Sequence, residues 1–162
     1  MASKAFFDHI VLLRMAPVLS SALAIRFSHD QWLFLDCFLA PGHREKANEI
    51  VPSYFKTFFG RGIWDIGILY SLTTATGICN FYSRPNDAWK WYAAGTALAV
   101  FHMAFVPWIM KPIQALHDDE PKGQGNKQLR KWLDIHIIRS NLADVPAWAC
   151  FTIACLKSLR PV

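Results

Sequence analysis

Charged residues are scarce in this chain, since Asp, Glu, Lys and Arg make up only 18% of its 162 residues. Hydrophobic residues make up 53% and aromatic residues 14%. Soluble domains are typically about 25% charged and about 45–50% apolar, so this composition is shifted toward that of a membrane protein. The same balance excludes a disordered chain, because disordered segments are rich in charge and poor in apolar residues.

The net charge of +5 comes without a basic run or a basic helix face. A nucleic-acid interface needs cations clustered in a patch. Here the cations flank apolar segments instead, as Lys90 and Lys111 do, which is typical of residues at membrane interfaces. We therefore expect no nucleic-acid partner.

Sequence motifs for cofactors and metals are also missing. Gly60-Arg61-Gly62 is not a dinucleotide fingerprint, and the chain has no P-loop, nucleophile elbow or HExxH motif. The four cysteines form no CxxC pair and no ligand-like cluster with histidine: they are Cys37, Cys79, Cys150 and Cys155. We therefore expect no flavin, nicotinamide or nucleotide cofactor, and no zinc or di-iron site.

Long charge-free runs predict membrane spans. Residues 91–110 contain no Asp, Glu, Lys or Arg, and about twenty apolar residues cross a bilayer core of about 30 Å. With three further apolar segments the chain is predicted to be all-α, an integral membrane four-helix bundle of one domain, 1–162, surrounded by membrane lipid. The spans are expected at about 6–27, 54–81, 89–110 and 129–156. The alternative is a water-soluble all-α protein with an unusually apolar core.

The segment 28–53 is expected to connect the first two spans. A short helix or re-entrant piece is predicted at 31–39, before the break at Pro41 and Gly42. Asp36 lies in this apolar run without an obvious local partner, which makes it a candidate proton donor. The alternative is a small amphipathic helix that turns Asp36 toward water.

The fourth predicted span carries the most polar residues. At about 100° per residue, one stripe within an arc of about 80° consists of Asp134, Asn141, Asp144 and Trp148. His136 and Arg139 fall together on a different face, next to Ser140. Ionisable groups inside a membrane are costly and tend to mark function, although those near the span's start can simply be solvated at the interface.

The second predicted span contains Arg61 and Asp65, which are four residues apart and can pair on one helix face. The pair either holds helices in register or leaves Asp65 pointing into the same cavity as Asp144. His102 stands alone in the third span, and a bundle histidine with a satisfied hydrogen bond is the expected interpretation. Such a cavity suits acid/base catalysis on a lipophilic small molecule, and it also suits a transport or scaffold protein.

Three stretches of sequence resemble a known family. They are VPSYFKTFFGRG at 51–62, VPWIMKP at 106–112, and LRKWLDIHIIRSN at 129–141. The chain resembles the small fungal four-helix integral membrane proteins related to anthrone oxygenases, which serve polyketide and terpenoid biosynthesis. In that family a Trp-x-x-x-His-x-x-Arg-like pattern opens the last span, and Trp132, His136 and Arg139 match it.

The resemblance implies a cofactor-independent tailoring enzyme of secondary metabolism, either an anthrone oxygenase or a membrane epoxide hydrolase or cyclase. We expect a multi-pass protein of the endoplasmic reticulum. Paired carboxylates in an apolar pocket can both protonate an epoxide oxygen and activate water, which favours epoxide opening or rearrangement. The alternatives are anthrone oxygenation, for which His136 beside Arg139 would be the base, and lipophile binding without catalysis.

The expected site residues are Asp65, Asp144, Asp36, His136, Arg139, Arg61 and Asn141. Asp65 and Asp144 are expected to form the acid/base pair, with Asp36 as a second acid. Arg61 and Arg139 would orient carboxylates or stabilise an oxyanion. His136 and Asn141 would position water, and the partner would be a lipophilic small-molecule substrate.

Overall fold

A computed structural model describes residues 8–159, and within this range the chain is helical without strands. The helices are α1 (His9–Asp36), α2 (Arg44–Ser83), α3 (Trp89–Phe101), α4 (Val106–Asp118), α5 (Gly125–Arg139) and α6 (Val145–Ser158). A 3-10 segment joins α3 to α4, and a π-helical segment joins α5 to α6. The described residues therefore form four long rods, and the prediction of an all-α, four-helix protein is confirmed for them.

The first two helices are longer than the predicted spans. α1 runs on through residues 28–36 and a 3-10 turn, Cys37–Leu39, while α2 already begins at Arg44. The predicted connection at 28–53 is therefore wrong, and the true turn is 40–43, at Pro41 and Gly42. Polar residues interrupt the apolar run near Ser28, but α1 continues through them. Ser28 is buried in the bundle, where its hydroxyl is hydrogen-bonded. Residues 6 and 7 of the first predicted span lie outside the described residues.

Two apolar clusters occupy opposite ends of the bundle. One joins α1, α2, α4 and α5 around Phe55 and Leu133, and the other joins α3 and α6 around Tyr92 and Phe151. Buried polar side chains lie between the two clusters, and they include Ser28, His102, His136, Arg139 and Asp144. Burying such groups is costly unless they are paired, so this middle layer of the bundle needs a dense hydrogen-bond network.

Both irregular helical segments that join α-helices end at a Val-Pro sequence, although a third one, Val51-Pro52, lies inside the regular helix α2. Proline lacks an N–H and its ring crowds the carbonyl four residues earlier, so an α-helix is disturbed just before it. The 3-10 segment His102–Phe105 lies directly before Val106-Pro107, and the π-helical segment Ser140–Asp144 lies directly before Val145-Pro146. His102 and Asp144 thus occupy the first and last positions of these two irregular segments.

Two glycines allow α2, α3 and α6 to pack closely. A methyl group built on Gly95 would lie 2.8 Å from the ring of Phe151, and one built on Gly77 would lie 3.1 Å from the same ring. Gly62 is also tight, since its Cβ would lie 3.3 Å from Phe27. Gly60, by contrast, has open space around it. Close packing therefore depends on Gly77 and Gly95 at one end of the bundle.

Two of the rods are long and apolar enough to cross a membrane: His9–Leu39 with 31 residues and Asn86–Asp118 with 33 residues. Large apolar side chains are also exposed on the outside of the bundle. On α2, for example, Trp64 is 74% exposed and Ile68 is 64% exposed. Exposed apolar surface on this scale calls for a partner or a lipid phase.

Candidate active site

The centre of the site is a buried pair of side chains, His102 and Asp144. His102 Nδ1 lies 2.8 Å from Asp144 Oδ1, and the two residues are 5% and 4% exposed. The carboxylate accepts a hydrogen bond from Nδ1–H, which leaves Nε2 as the ring nitrogen with a free lone pair. A histidine oriented in this way by a carboxylate is suited to act as a general base, as in hydrolase triads.

The π-helical segment determines which side chains lie on the same helix face as Asp144. In a regular α-helix Arg139 and Asp144 would be about 140° apart, whereas the π-helical segment, with i→i+5 hydrogen bonds, turns less per residue and brings them closer to one face. Arg139 Nε accordingly lies 3.4 Å from Asp144 Oδ2, and Ser140 Oγ donates to the same oxygen over 3.3 Å. The predicted stripe of Asp134, Asn141 and Asp144 is therefore wrong: Asp134 and Asn141 are exposed, while Asp144 is buried.

His136 and Arg139 are buried side by side, on the shared face that the sequence predicts. Arg139 Nη2 donates to His136 Nδ1 over 3.1 Å, and His136 Nε2 then donates to the carbonyl oxygen of Ser28 over 2.9 Å. This arrangement fixes a neutral histidine with its proton on Nε2. Both ring nitrogens of His136 are therefore occupied, in contrast to those of His102.

Serine hydroxyls connect the His136–Arg139 pair to the His102–Asp144 pair. Ser28 Oγ lies 2.9 Å from His136 Nε2 and 2.7 Å from Ser140 Oγ. Ser140 in turn donates to Asp144, so a continuous hydrogen-bonded path links His136 to the carboxylate. The network satisfies most of the buried polar groups and holds their geometry.

Aromatic rings cover both histidines. The Trp132 ring stacks on the His136 ring with centroids 4.5 Å apart and an interplanar angle of 21°. The Tyr70 ring lies against His102 with centroids 4.0 Å apart. Tyr70 and Asp144 also line the same small cavity, so a phenol hydroxyl stands close to the carboxylate. These rings restrict the rotation of both imidazoles.

A cavity of about 410 Å³ opens beside this network, between α2, α4 and α5. Its polar wall is formed by side chains from four elements, and they include Gln31, Tyr70, His102, Trp132 and Arg139. The opposite walls are apolar, with Phe58, Phe59 and Ile63 from α2 and Ile109 and Met110 from α4. The volume lies in the range of small-molecule sites, and an apolar chamber with a few convergent polar groups is their usual form.

Arg61 and Asp65 lie elsewhere. Both are exposed and line a separate cavity of about 310 Å³ with Phe27 and Tyr54. No ion pair joins them among residues 8–159. The expectation that Asp65 and Asp144 share a cavity is wrong, because these residues of α2 point away from the layer that Asp144 occupies. The participation of Arg61 and Asp65 in catalysis stays a prediction.

Asp36 and Asn141 also lie apart from the buried network. Asp36 Oδ1 lies 3.1 Å from Arg130 Nη1, so the carboxylate has a partner that is remote in sequence. Asn141 is exposed, and its amide nitrogen donates to the carbonyl oxygen of Ile137 over 2.9 Å. Asp36 is therefore not the unpaired carboxylate that the local sequence predicts. Catalytic roles for both residues stay predictions.

The sequence did not predict three residues of the site: Ser28, Tyr70 and His102. The expectation for His102 was a bundle histidine with a satisfied hydrogen bond, and its Nδ1 does bond to Asp144. The signal for His102 was present, because it is a single imidazole in a long charge-free run and stands four residues before Val106-Pro107. Ser28 and Tyr70 carry no comparable signal. Among the described residues no group of three or more histidine, cysteine or acidic side chains is arranged to hold a metal ion.

Curated relatives place the chain in a fungal family. It is 34% identical over 155 residues to the probable epoxidase scpX of Mollisia scopiformis, an alignment that covers 93% of this chain and 98% of the relative. The epoxidase pydX of an Acremonium species is 29% identical, with 91% and 94% covered. The epoxidase gkaX of Penicillium citrinum is 28% identical, with 91% and 95% covered. No family model matches the chain, and no solved structure is similar to it.

The fold and the site define a small all-helical protein with a buried acid/base network beside an apolar chamber. The chain belongs to the family of the fungal probable epoxidase scpX. This family supports a tailoring role in fungal secondary metabolism and an enzyme of epoxide or oxygen chemistry, as the resemblance implied in general terms. The relatives do not show a relationship to anthrone oxygenases, and they do not distinguish a hydrolase from a cyclase.

Proposed function

We propose that the protein is a tailoring enzyme that forms an epoxide on a lipophilic intermediate of secondary metabolism. One structural observation carries the proposal: His102, which is hydrogen-bonded to the buried Asp144, lines an apolar chamber of about 410 Å³. The names of three relatives, all epoxidases, support formation of the epoxide rather than its opening.

The chain's own residues would bind the substrate and move protons. The apolar walls bind a lipophilic molecule and keep water away from it. His102 Nε2, oriented by Asp144, removes the proton that the substrate or a peroxide must lose before oxygen is transferred. Arg139 stabilises the negative charge that develops on oxygen. The oxygen atom comes from a hydroperoxide, formed from dioxygen either on the deprotonated substrate or with a two-electron reductant. As its O–O bond breaks, one oxygen joins the two alkene carbons and the other leaves as water or stays on the substrate as a hydroxyl group.

Epoxide opening is the second candidate. It is favoured by the types of polar group on the chamber wall, because Tyr70, His102 and Arg139 can all donate or hold a proton at oxygen. In that reaction the protonated imidazole or the phenol donates to the departing oxygen, and water or an internal hydroxyl attacks. The acid/base pair would then be His102 and Asp144, instead of the expected Asp65 and Asp144.

Isotope labelling distinguishes epoxide formation from epoxide opening. The gene is deleted in its native host, and the intermediate that accumulates is incubated with microsomes containing the protein, once under ¹⁸O₂ and once in H₂¹⁸O. Epoxide formation by dioxygen predicts label from the gas in the product. Hydrolytic opening predicts label from water and consumption of an epoxide. An unconverted intermediate that still binds to the protein would contradict both and indicate a lipophile-binding protein.

The same proposal places the enzyme in a membrane, as a multi-pass protein of the endoplasmic reticulum. The two long apolar helices and the exposed apolar side chains of α2 support this placement. Lipophilic substrates concentrate in bilayers, so a chamber that opens near apolar residues such as Met103 and Val106 has direct access to them. Extraction of microsomes with alkaline carbonate tests the placement, since an embedded protein stays in the pellet.

A further inference from the structure

A second cavity, of about 570 Å³, is lined by charge of one sign. It lies at the end of the bundle where α2 and α5 begin, away from the apolar chamber. Its cationic lining residues are Arg44, Lys127, Arg130 and Lys131. No acidic residue of the described chain lines it, although Glu45 and Glu49 stand close by in the sequence of α2. A concave surface of one charge sign concentrates ions of the opposite sign.

Three of the cations lie on one face of α5. Lys127, Arg130 and Lys131 are spaced i, i+3 and i+4, which brings them to the same side of the helix. Like charges at this spacing repel each other, and cations near a helix N-terminus also face the positive end of its dipole. The first turn of α5, which begins at Gly125, holds no acidic residue that would offset either effect. A bound anion at this face would relieve both.

Ion pairs within the protein compensate only one of the four charges. Arg130 Nη1 lies 3.1 Å from Asp36 Oδ1. Arg44, Lys127 and Lys131 form no ion pair with another residue in the range 8–159. Three positive charges around the cavity are therefore left for a ligand.

Side-chain amides hold the cavity in shape. Asn48 Nδ2 donates to the carbonyl oxygen of Gly123, and Asn48 Oδ1 accepts from the backbone N–H of Asn126 over 3.0 Å. Asn126 Nδ2 donates to the carbonyl oxygen of Arg44. Gly125 packs so closely that a Cβ on it would lie 2.9 Å from the carbonyl oxygen of Asn48. The starts of α2 and α5 and the loop before α5 are thus fastened together, so the cavity is preformed.

We propose that this cavity binds a phosphate group. A phosphate monoester carries nearly two negative charges at neutral pH and presents three strong acceptor oxygens. Lysine and arginine bind such oxygens through charge-assisted hydrogen bonds. A single carboxylate would leave two of the three uncompensated cations without a partner. The volume of about 570 Å³ also has room for the group that carries the phosphate.

The position of the cavity favours the headgroup of a membrane lipid as the source of the phosphate. Leu39, which lines the cavity, is the last residue of the membrane-length helical segment His9–Leu39. The loop that supplies Gly123 follows the end of the second such segment, Asn86–Asp118. Basic clusters at the ends of membrane spans bind anionic lipid headgroups. The lipid source rests on the proposed membrane placement, whereas the binding of phosphate does not.

Two binding measurements on the full-length protein in detergent test the proposal. Native mass spectrometry compares dioleoyl phosphatidic acid with dioleoyl phosphatidylcholine, which has the same chains and no phosphate monoester. We expect about tenfold more bound phosphatidic acid. Titration calorimetry with inorganic phosphate identifies the source: binding of phosphate alone indicates a free anion, and a preference for phosphatidic acid without it indicates a lipid headgroup. Equal binding of the two lipids together with no binding of phosphate overturns the proposal.

Charge-neutral variants locate the site. Arg44→Gln and Lys127→Gln are each expected to lower the preference for phosphatidic acid about fivefold. Lys46→Gln is the matched control, because it removes the same charge from an exposed residue of α2 that does not line the cavity. Equal losses in Lys127→Gln and Lys46→Gln would show general attraction to the positive end of the bundle and would contradict a site in the cavity.

Asp36→Asn changes the balance in the opposite direction. It removes the acidic partner of Arg130 and leaves a fourth cation for the ligand, so the preference for phosphatidic acid should rise. A poorly folded variant would not give such a gain, and a weakened preference contradicts the proposal. These measurements need no substrate, so their outcome is independent of the labelling experiment, and failure of this proposal can be distinguished from failure of epoxide formation.

Discussion

His102 Nδ1 lies 2.8 Å from Asp144 Oδ1, although the two residues are 42 positions apart in the chain. Each occupies an irregular helical segment immediately before a Val-Pro sequence. The two irregular segments therefore bring an imidazole and a carboxylate together in the middle layer of the bundle.

Replacing either member of the pair should abolish turnover. His102→Gln and Asp144→Asn remove a general base or its orienting group, and such groups contribute about 10²–10⁴-fold to rates. Product formation by microsomes, normalised to the amount of folded protein, measures the loss. Asp134→Asn is the matched control, because Asp134 is an exposed carboxylate on α5 and lines a different cavity. Full activity in His102→Gln would remove this histidine from the mechanism.

The π-helical segment should be needed to keep Arg139 against Asp144. Pro146→Ala restores a backbone N–H and allows residues 140–144 to return to an α-helix. The two side chains would then be about 140° apart, and we expect at least a tenfold loss of activity with unchanged helix content. Activity and circular dichroism are measured together. Pro17→Ala, at a proline inside the regular helix α1, is expected to keep activity. A Pro146→Ala enzyme as active as the wild type would show that the segment is dispensable.

Gly95 should be required for stability rather than for chemistry. A side chain at this position would meet the Phe151 ring at 2.8 Å, and overpacking typically costs about 1–3 kcal/mol. Gly95→Ala is therefore expected to lower the midpoint of thermal unfolding in detergent, whereas Gly60→Ala has open space and should not. The double variant Gly95→Ala with Phe151→Leu should regain part of the loss. Equal midpoints for the two single variants would contradict the close packing of α3 and α6.

A charge on the outer face of α2 should disturb membrane insertion. Ile68 is 64% exposed, and an arginine near the centre of a span costs about 2.5–3.5 kcal/mol on insertion scales. Ile68→Arg is expected to shift protein from the carbonate-resistant pellet to the supernatant or to aggregates. Ile68→Leu should behave as the wild type. If Ile68→Arg instead gives a well-folded protein with unchanged partitioning, this face of α2 does not contact lipid.

The sequence predicted the general fold well because the signal for it is local. Charge-free runs and turn residues gave four helices, and the i, i+3 spacing put His136 and Arg139 on one face. The C-terminal end of α1 was predicted too early because Ser28 and its neighbours are polar, and only the tertiary partner His136 explains why Ser28 is buried inside a helix. Propensity alone carries no information about such a partner.

The site was predicted only in part because its geometry depends on an exception to helical periodicity. Counting 100° per residue grouped Asp144 with Asp134 and Asn141, but the π-helical segment turns Asp144 toward Arg139 and His102. Partners that are remote in sequence account for the rest. Asp36 is paired with Arg130, and His102 has an acceptor on another rod. A Val-Pro within four residues after an ionisable residue is the local pattern shared by the two segments, since Asp144 directly precedes Val145-Pro146 and His102 stands four residues before Val106.

The most direct test of the central claim is the conversion of the accumulated intermediate by microsomes under ¹⁸O₂, with wild type, His102→Gln and Asp134→Asn measured side by side. Wild type and Asp134→Asn should produce an epoxide that contains oxygen from the gas, whereas His102→Gln, although folded and membrane-bound, should leave the intermediate unchanged. Labelled epoxide formed by His102→Gln at the wild-type rate would contradict the assignment of the chemistry to the His102–Asp144 pair.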